Sequence, residues 1–298
     1  MRRISLFFLI LAMSLPFSAH AINCTWDVVP TNINFGSYLP FSGVPVTGTS
    51  SFQFTCTPPA VATLMLSRGA SATYSPRIMT RTTPPATTAN YNLFMDAANT
   101  IIWGNGTGGT QFLTFPSTPG NKTDSGTIYG TVPAGLDVRP GTYTDTIQAT
   151  LDWGSGNDSR FFTVTVNVIA ECTVSSGTVN FGAYDPVSAN ASTPNDSTGT
   201  VNVYCTTGTL ATVSLDLGTH ASGSTRRTLG STGDFLTYEL YRDAARTVVW
   251  NAVNTNSGTS TSRLTPINGG FIAYGRIPAG QDVRIGSYGD TVLVTVNY

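Results

Sequence analysis

Tyr129-Gly-Thr-Val-Pro133-Ala-Gly135-Leu-Asp137-Val-Arg139-Pro-Gly141-Thr-Tyr143-Thr-Asp145-Thr returns as Tyr274-Gly-Arg-Ile-Pro278-Ala-Gly280-Gln-Asp282-Val-Arg284-Ile-Gly286-Ser-Tyr288-Gly-Asp290-Thr. The chain is thus two copies of one unit, offset by about 147 residues. Both copies run on into an alternating segment, Ile147 to Trp153 in the first and Val292 to Tyr298 in the second. The first then passes through a Gly/Ser/Asn turn, Gly154 to Ser159, into Phe161-Phe-Thr-Val164-Thr-Val166-Asn-Val168-Ile, where strict alternation predicts one further strand. The second copy is expected to lack that strand. A sheet one strand short presents unpaired N–H and C=O groups beside an apolar groove, so it is expected to pair with another chain.

Composition fits an all-β fold. Thr, Ser, Gly, Asn and β-branched residues dominate, charged residues make up 10% of the chain, and the formal net charge is −1. Many short alternating segments set off by Pro and Gly predict two tandem sandwiches. No basic stripe suggests nucleic acid or anionic lipid as a partner. Met1-Arg-Arg, the apolar run Ile4 to Phe17 and Ala19-His-Ala21 have the pattern of a secretory leader over residues 1–21. The run is shorter than the roughly 20 residues needed to cross a bilayer. A mature start near Ile22 is expected.

Cys24 and Cys56 in the first half, and Cys172 and Cys205 in the second, are spaced alike. In a secreted chain that predicts one disulfide per half, each worth about 3 kcal/mol, and an oxidising compartment. No second Cys or His stands near any of the four, which argues against zinc. Each half then reads alike. A Cys is followed by Asn34-Phe35-Gly36-Ser-Tyr38 or Asn180-Phe181-Gly182-Ala-Tyr184. Next come a strand closing on the second Cys and a hairpin turning at Asp96-Ala97-Ala98 or Asp243-Ala244-Ala245 and returning to Trp103 or Trp250. Both tryptophans are expected in the core. Tyr143 and Tyr288 are expected as buried-hydroxyl corners. Asp137 with Arg139, and Asp282 with Arg284, are expected as local ion pairs of structural rather than catalytic use.

The composite of Asn-Phe-Gly-x-Tyr, Tyr-x-Leu-x-x-Asp-Ala-Ala, Tyr-Gly-x-x-Pro-Ala-Gly-x-Asp-Val-Arg-x-Gly-x-Tyr-x-Asp-Thr and a terminal Val294-Thr-Val296-Asn-Tyr298 resembles the spore coat protein U domain. Proteins of that family are subunits of archaic, Csu-like chaperone-usher pili. The resemblance implies immunoglobulin-like sandwiches in which the missing strand comes first from a periplasmic chaperone and then from the N-terminal extension of the next subunit. It also implies an outer-membrane usher. Here the strand Phe161 to Ile169, with Phe162, Val164, Val166 and Val168 turned inward, is fused to the first half and is expected to complete it internally. Residues 22–170 would then form an N-terminal adhesin-like domain. Residues 171–298 would form a C-terminal pilin-like domain, with Val292, Val294, Val296 and Tyr298 at the edge that accepts a strand.

Cleavage after Ala21 would leave only Ile22 and Asn23 ahead of Cys24, too little for a strand of about five residues. A subunit that accepts but does not donate belongs at a fibre tip. The resemblance therefore implies a two-domain tip adhesin for an abiotic or host surface, acting in attachment and biofilm formation, with a structural coat or shaft subunit as the alternative. Strand directions put Pro58, Pro59, Ala60, Val61 and Trp153 at the end far from the second half, and the hairpin turn at Ala97 and Ala98 is expected beside them. Apolar loop tips there suit a hydrophobic surface, and a shaped polar pocket a glycan.

Catalysis has little to build on. His20 leaves with the leader, so His220 is the single mature histidine, in a Gly/Ser-rich stretch without counterpart in the first half. The only glutamates are Glu171, beside a Cys, and Glu239, within a strand. No phosphate loop or metal motif occurs, and neither an enzymatic activity nor a cofactor is expected.

Overall fold

The computed structural model describes residues 21–117 and 122–298; the expected leader falls outside them except for Ala21. The fold is two tandem β-sandwiches. Among the described residues the only helical element is a single 3-10 turn, Ile267–Gly269.

In the first half, Asn23–Val28, Val46–Thr57, Lys122–Val132 and Thr88–Phe94 pair in that order as one face. Ala62–Leu66, Gly141–Asp152, Asn157–Val168 and Ile33–Tyr38 build the other face, and Arg77–Arg81 bridges the two. Alternation does the sorting. Along Gly141–Asp152, residues Tyr143, Asp145, Ile147, Ala149 and Leu151 point inward and their neighbours outward. Trp103 and Trp250 are fully buried as expected, and each indole N–H donates to a strand carbonyl, Leu64 or Val213. Both corner tyrosines make the expected bond, Tyr143 Oη to Arg139 O at 2.8 Å and Tyr288 Oη to Arg284 O at 2.7 Å, but only Tyr143 is buried and the Tyr288 bond is exposed. Both Asp-Ala-Ala turns close as hairpins, their Asp carboxylates accepting from Thr100 and Ile101 N–H, or from Thr247 and Val248 N–H.

Each core also holds an arginine that the alternation pattern does not single out. Arg77 is buried and donates to Ser67 O, Trp103 O (2.6 Å) and Asn92 Oδ1 (2.7 Å). Burial pushes its pKa down to about 10. Arg226 repeats the arrangement on Asp216 O, Trp250 O and Glu239. Each guanidinium ties the central hairpin to the facing sheet, which accounts for a planar, many-donor cation in an apolar core. Arg77→Met is expected to strand these acceptors and destabilise by about 3 kcal/mol or more. Denaturant titration checks it, and a loss below about 1 kcal/mol would contradict the assigned role.

The Asp-Arg pairs do not form locally. Asp137 instead reaches the second half, accepting from Thr207 Oγ1, from Ser262 Oγ at 2.6 Å and from Arg263 N–H at 3.0 Å. Partial burial works to raise its pKa, but these donors prevail and hold it below the usual carboxylate value. Its contribution to the inter-domain contact is therefore present above that value and lost as pH falls through the lowered one. Arg284 pairs with Asp234 through two bonds of 2.7 and 2.8 Å, not with Asp282. Residues two apart do share a strand face, but both pairs lie in a loop where that spacing rule does not apply.

The second half keeps the plan with fewer partners. Cys172–Ser176, Asn195–Cys205, Phe271–Ile277, Phe235–Tyr241, Arg226–Gly230 and Tyr288–Gly289 form one sheet in that order. Asn256–Thr259, Leu210–Leu215 and Val294–Asn297 form a second. Disulfides join Cys24 to Cys56 and Cys172 to Cys205, as the spacing predicts.

Candidate functional site

The two halves differ most where the strand Asn157–Val168 lies. In the first half it pairs antiparallel with Gly141–Asp152 along its whole length and parallel with Ile33–Tyr38, filling the space between them. Phe162, Val164, Val166 and Val168 insert into the core and are no more than 2% exposed. In the second half no described strand occupies that position. Val294–Asn297 pairs through one edge with Leu210–Leu215, and its other edge has no strand partner among the described residues. The segment matching Ile33–Tyr38, residues 179–184, is not a strand at all.

Between these two edges runs an open groove of about 1110 Å³. Buried Leu215, Leu236, Tyr238 and Leu240 form its floor; Phe181 and Tyr184 line one wall, Tyr288, Val292 and Val294 the other. Its wall positions are the counterparts of core residues. Phe35 and Tyr38 are buried in the first half, whereas Phe181 and Tyr184 are only half-buried. Tyr184 nevertheless keeps its anchor, donating to Pro278 O at 2.8 Å as Tyr38 does to Pro133 O at 2.9 Å. The tyrosine anchor is thus kept although the segment around it is no strand and no described strand covers it.

The expected acceptor edge is shorter than its pattern. Gly141–Asp152 is one continuous strand of 12 residues. Its counterpart breaks into Tyr288–Gly289 and Val294–Asn297, so Val292 and Tyr298 fall outside the ladder. A strand with a neighbour on one side only makes half the backbone bonds, and the stretch nearest the groove lets go first. Val292, Val294 and Val296 still pack against the core, and Tyr298 is 60% exposed. Asp290, which stands where Asp145 stands in the first half, lies in this broken stretch. Burial works to raise its pKa, but donors from Thr219, Tyr238 and His220 outweigh that and lower it. His220, expected in a loop, bonds Asp290 Oδ1 through Nδ1 at 2.9 Å.

The proposed surface loops are partly brought together. Thr63 faces Asp152 across one ladder, and Asn23 faces Thr57 across another. Pro58 to Val61 and Trp153 therefore share the end of the first sandwich opposite Ile169, whose N–H bonds Tyr38 O. Val61 is 54% exposed. Trp153 is only half-buried and packs against the core. Ala97 and Ala98 are exposed at their turn, but no described strand pair or hydrogen bond links them to Val61 or Trp153. Among the described residues no group of three or more His, Cys, Asp and Glu is placed to hold a metal ion.

Residues 12–150 and 158–295 each match the family profile of the spore coat protein U domain. The chain belongs to that family. Protein U of Myxococcus xanthus is 37% identical over 150 residues, which is 44% of this chain and 80% of that protein. Among solved structures, the CsuC-CsuE chaperone-tip adhesion subunit pre-assembly complex from the archaic chaperone-usher Csu pili of Acinetobacter baumannii is similar at a TM-score of 0.51 and 17% identity. It covers 93% of this chain and 100% of that one. That likeness is one of fold. Within this chain, then, one spore coat protein U domain has its strand Asn157–Val168 in place and the other has an open groove at the matching place.

Proposed function

We propose that this chain is a non-enzymatic adhesin subunit at the tip of a chaperone-usher pilus. Residues 22–170 form the adhesive domain, completed internally by the strand 161–169. Residues 171–298 form a pilin-like domain that accepts a strand from the next subunit. The groove between residues 179–184 and Val294–Asn297 is the observation that carries this assignment. An apolar trough bounded by backbone with unused hydrogen-bonding capacity is the form in which a strand is recognised.

Before assembly a periplasmic chaperone covers the groove, and at the outer-membrane usher the next subunit's N-terminal strand replaces it. The similar solved structure, a complex of a chaperone with a tip adhesion subunit, supports the chaperone as first partner. The chain thus passes through the periplasm to the cell surface. There its distal loops, Pro58 to Val61 with Trp153, meet an abiotic or host surface and begin a biofilm. Loops at the end opposite the linker are the first to touch a substrate.

Attachment and fibre yield measured together test the role. Deleting the chain should abolish attachment, while Val61→Asp should lower it several-fold and leave fibre yield unchanged, because Val61 is 54% exposed. Trp153→Ser is the harsher change, since its ring packs on the core. Unchanged attachment after every distal loop is made polar would return the chain to a coat or shaft role. The mature N-terminus bears on the same choice: a start near Ile22 fits a tip subunit, and a long alternating extension ahead of Cys24 fits a shaft subunit that also donates.

A further inference from the structure

Four residues at the lower end of the first sandwich, Phe41, Gly135, Asp137 and Arg139, meet the second. Asp137 accepts from Thr207, Ser262 and Arg263 N–H. Phe41 donates its N–H to Glu171 and lies under the Arg263 guanidinium at 5.9 Å. Arg139 lies against Gly208, where any Cβ would run into its guanidinium and the backbone has φ +80°. Arg263 completes the contact by donating to Gly135 O at 2.7 Å.

The second sandwich carries the matching loops at its own lower end. Counting along the repeat, Val187 stands for Phe41 after the shared proline, Asp282 for Asp137, Arg284 for Arg139 and Ile285 for Pro140. Val187 is 88% exposed and Ile285 98%, and Asp282 is exposed with no hydrogen bond or ion pair among the described residues. Val187 and Ile285 also stand at the mouth of the groove. Single exposed apolar residues are ordinary, but two almost fully bare aliphatic side chains and an unpaired carboxylate, on the two loops that match an interface already in use, are not.

We propose that Val187, Asp282 and Ile285 form a docking face for the body of the subunit whose strand enters the groove, and that the contact between the two halves of this chain is its template. The partner is a β-sandwich subunit whose upper loops present the same chemistry as the top of the second half. A hydroxyl and glycine follow its second cysteine, as Thr207 and Gly208 follow Cys205, and a Ser-Arg pair stands beside them, as Ser262 and Arg263 do. The strand supplies affinity, and the docking face fixes the angle between neighbours. The top of the first half does not offer this chemistry, because Pro58 and Pro59 stand where Thr207 and Gly208 stand. A second copy of this chain is therefore excluded as the occupant by its own upper loops.

The inference rests on the strand-accepting role proposed above, and the test separates the two. A photo-crosslinking benzoylphenylalanine is placed in the full chain at Ile285, at Val187 or, inside the groove, at Phe181, in cells assembling the fibre. All three positions are expected to yield a product of this chain plus one subunit. The Ile285 product should map to that subunit's loop after its second cysteine, the Val187 product to its counterparts of Glu171 and Arg263, and the Phe181 product to its N-terminal strand. Asp282→Ala should cut the Ile285 yield several-fold. It should leave the Phe181 yield and trypsin resistance unchanged, since Asp282 supports nothing within the chain. Crosslinks from Phe181 without any from Ile285 or Val187 would overturn the docking face and leave strand acceptance standing. Absence of crosslinks at all three would overturn both.

Discussion

A chain stopped at Trp153 will fail to fold its first sandwich, whereas one stopped at Ala170 will fold it. The stretch between holds Phe162, Val164, Val166 and Val168, all essentially fully buried against the core. Burying each is worth about 1.5–3 kcal/mol, so their removal costs about 6–12 kcal/mol. That rivals the whole stability of a domain, about 5–15 kcal/mol. The loss also strips the backbone bonds of one edge of Gly141–Asp152 and the parallel bonds to Ile33–Tyr38. Thermal unfolding of the two truncated chains should show a cooperative transition for the longer and none for the shorter. Equal melting temperatures would mean that the strand is an ornament on a domain already complete.

The second large effect is the mirror image of the first. Appending a copy of residues 154–169 after Tyr298 places the turn and strand where the first half has them, because Tyr298 stands at the position of Trp153. The extended chain is expected as a soluble monomer whose second half gains a comparable stabilisation, about 6–12 kcal/mol at the upper bound of area bookkeeping. The unextended chain without a chaperone is expected to aggregate or be degraded, as an exposed apolar trough with a bare edge predicts. A copy carrying Val164→Asp and Val166→Asp should not rescue. If the unextended chain proves a stable monomer with nothing bound, the groove is not an acceptor.

Much of this was legible in the repeat itself. Tyr143 and Tyr288, Trp103 and Trp250, and the four cysteines took the places their spacing implied, since each is fixed by local chain geometry and recurs twice. The groove was legible because strand alternation has a period of two and its absence leaves a countable gap. What escaped were contacts set by tertiary placement. Nothing local separates the outward Asp of one loop that seizes Ser262 from the copy that holds nothing. Arg77 and Arg226 escaped for a related reason: a charged residue at an inward strand position reads as an interruption until its carbonyl acceptors are seen. The shortened edge at Val292 and Tyr298 shows the limit of alternation. The pattern states which way side chains would face in a strand, but the strand persists only where a neighbour supplies bonds.

Strand acceptance is the central claim, and hydrogen exchange tests it directly. A peptide of residues 157–170 is added to the full chain, and backbone exchange is followed with and without it. In the first half Phe162 faces Ile147, Val164 faces Asp145, Val166 faces Tyr143 and Val168 faces Gly141. The repeat transposes these to Val292, Asp290, Tyr288 and Gly286. Peptide binding should therefore protect N–H groups between 286 and 294 and along 179–184, and leave the first half unchanged. Binding without protection at these positions, or no binding by a peptide that folds so completely into the first half, would contradict the account.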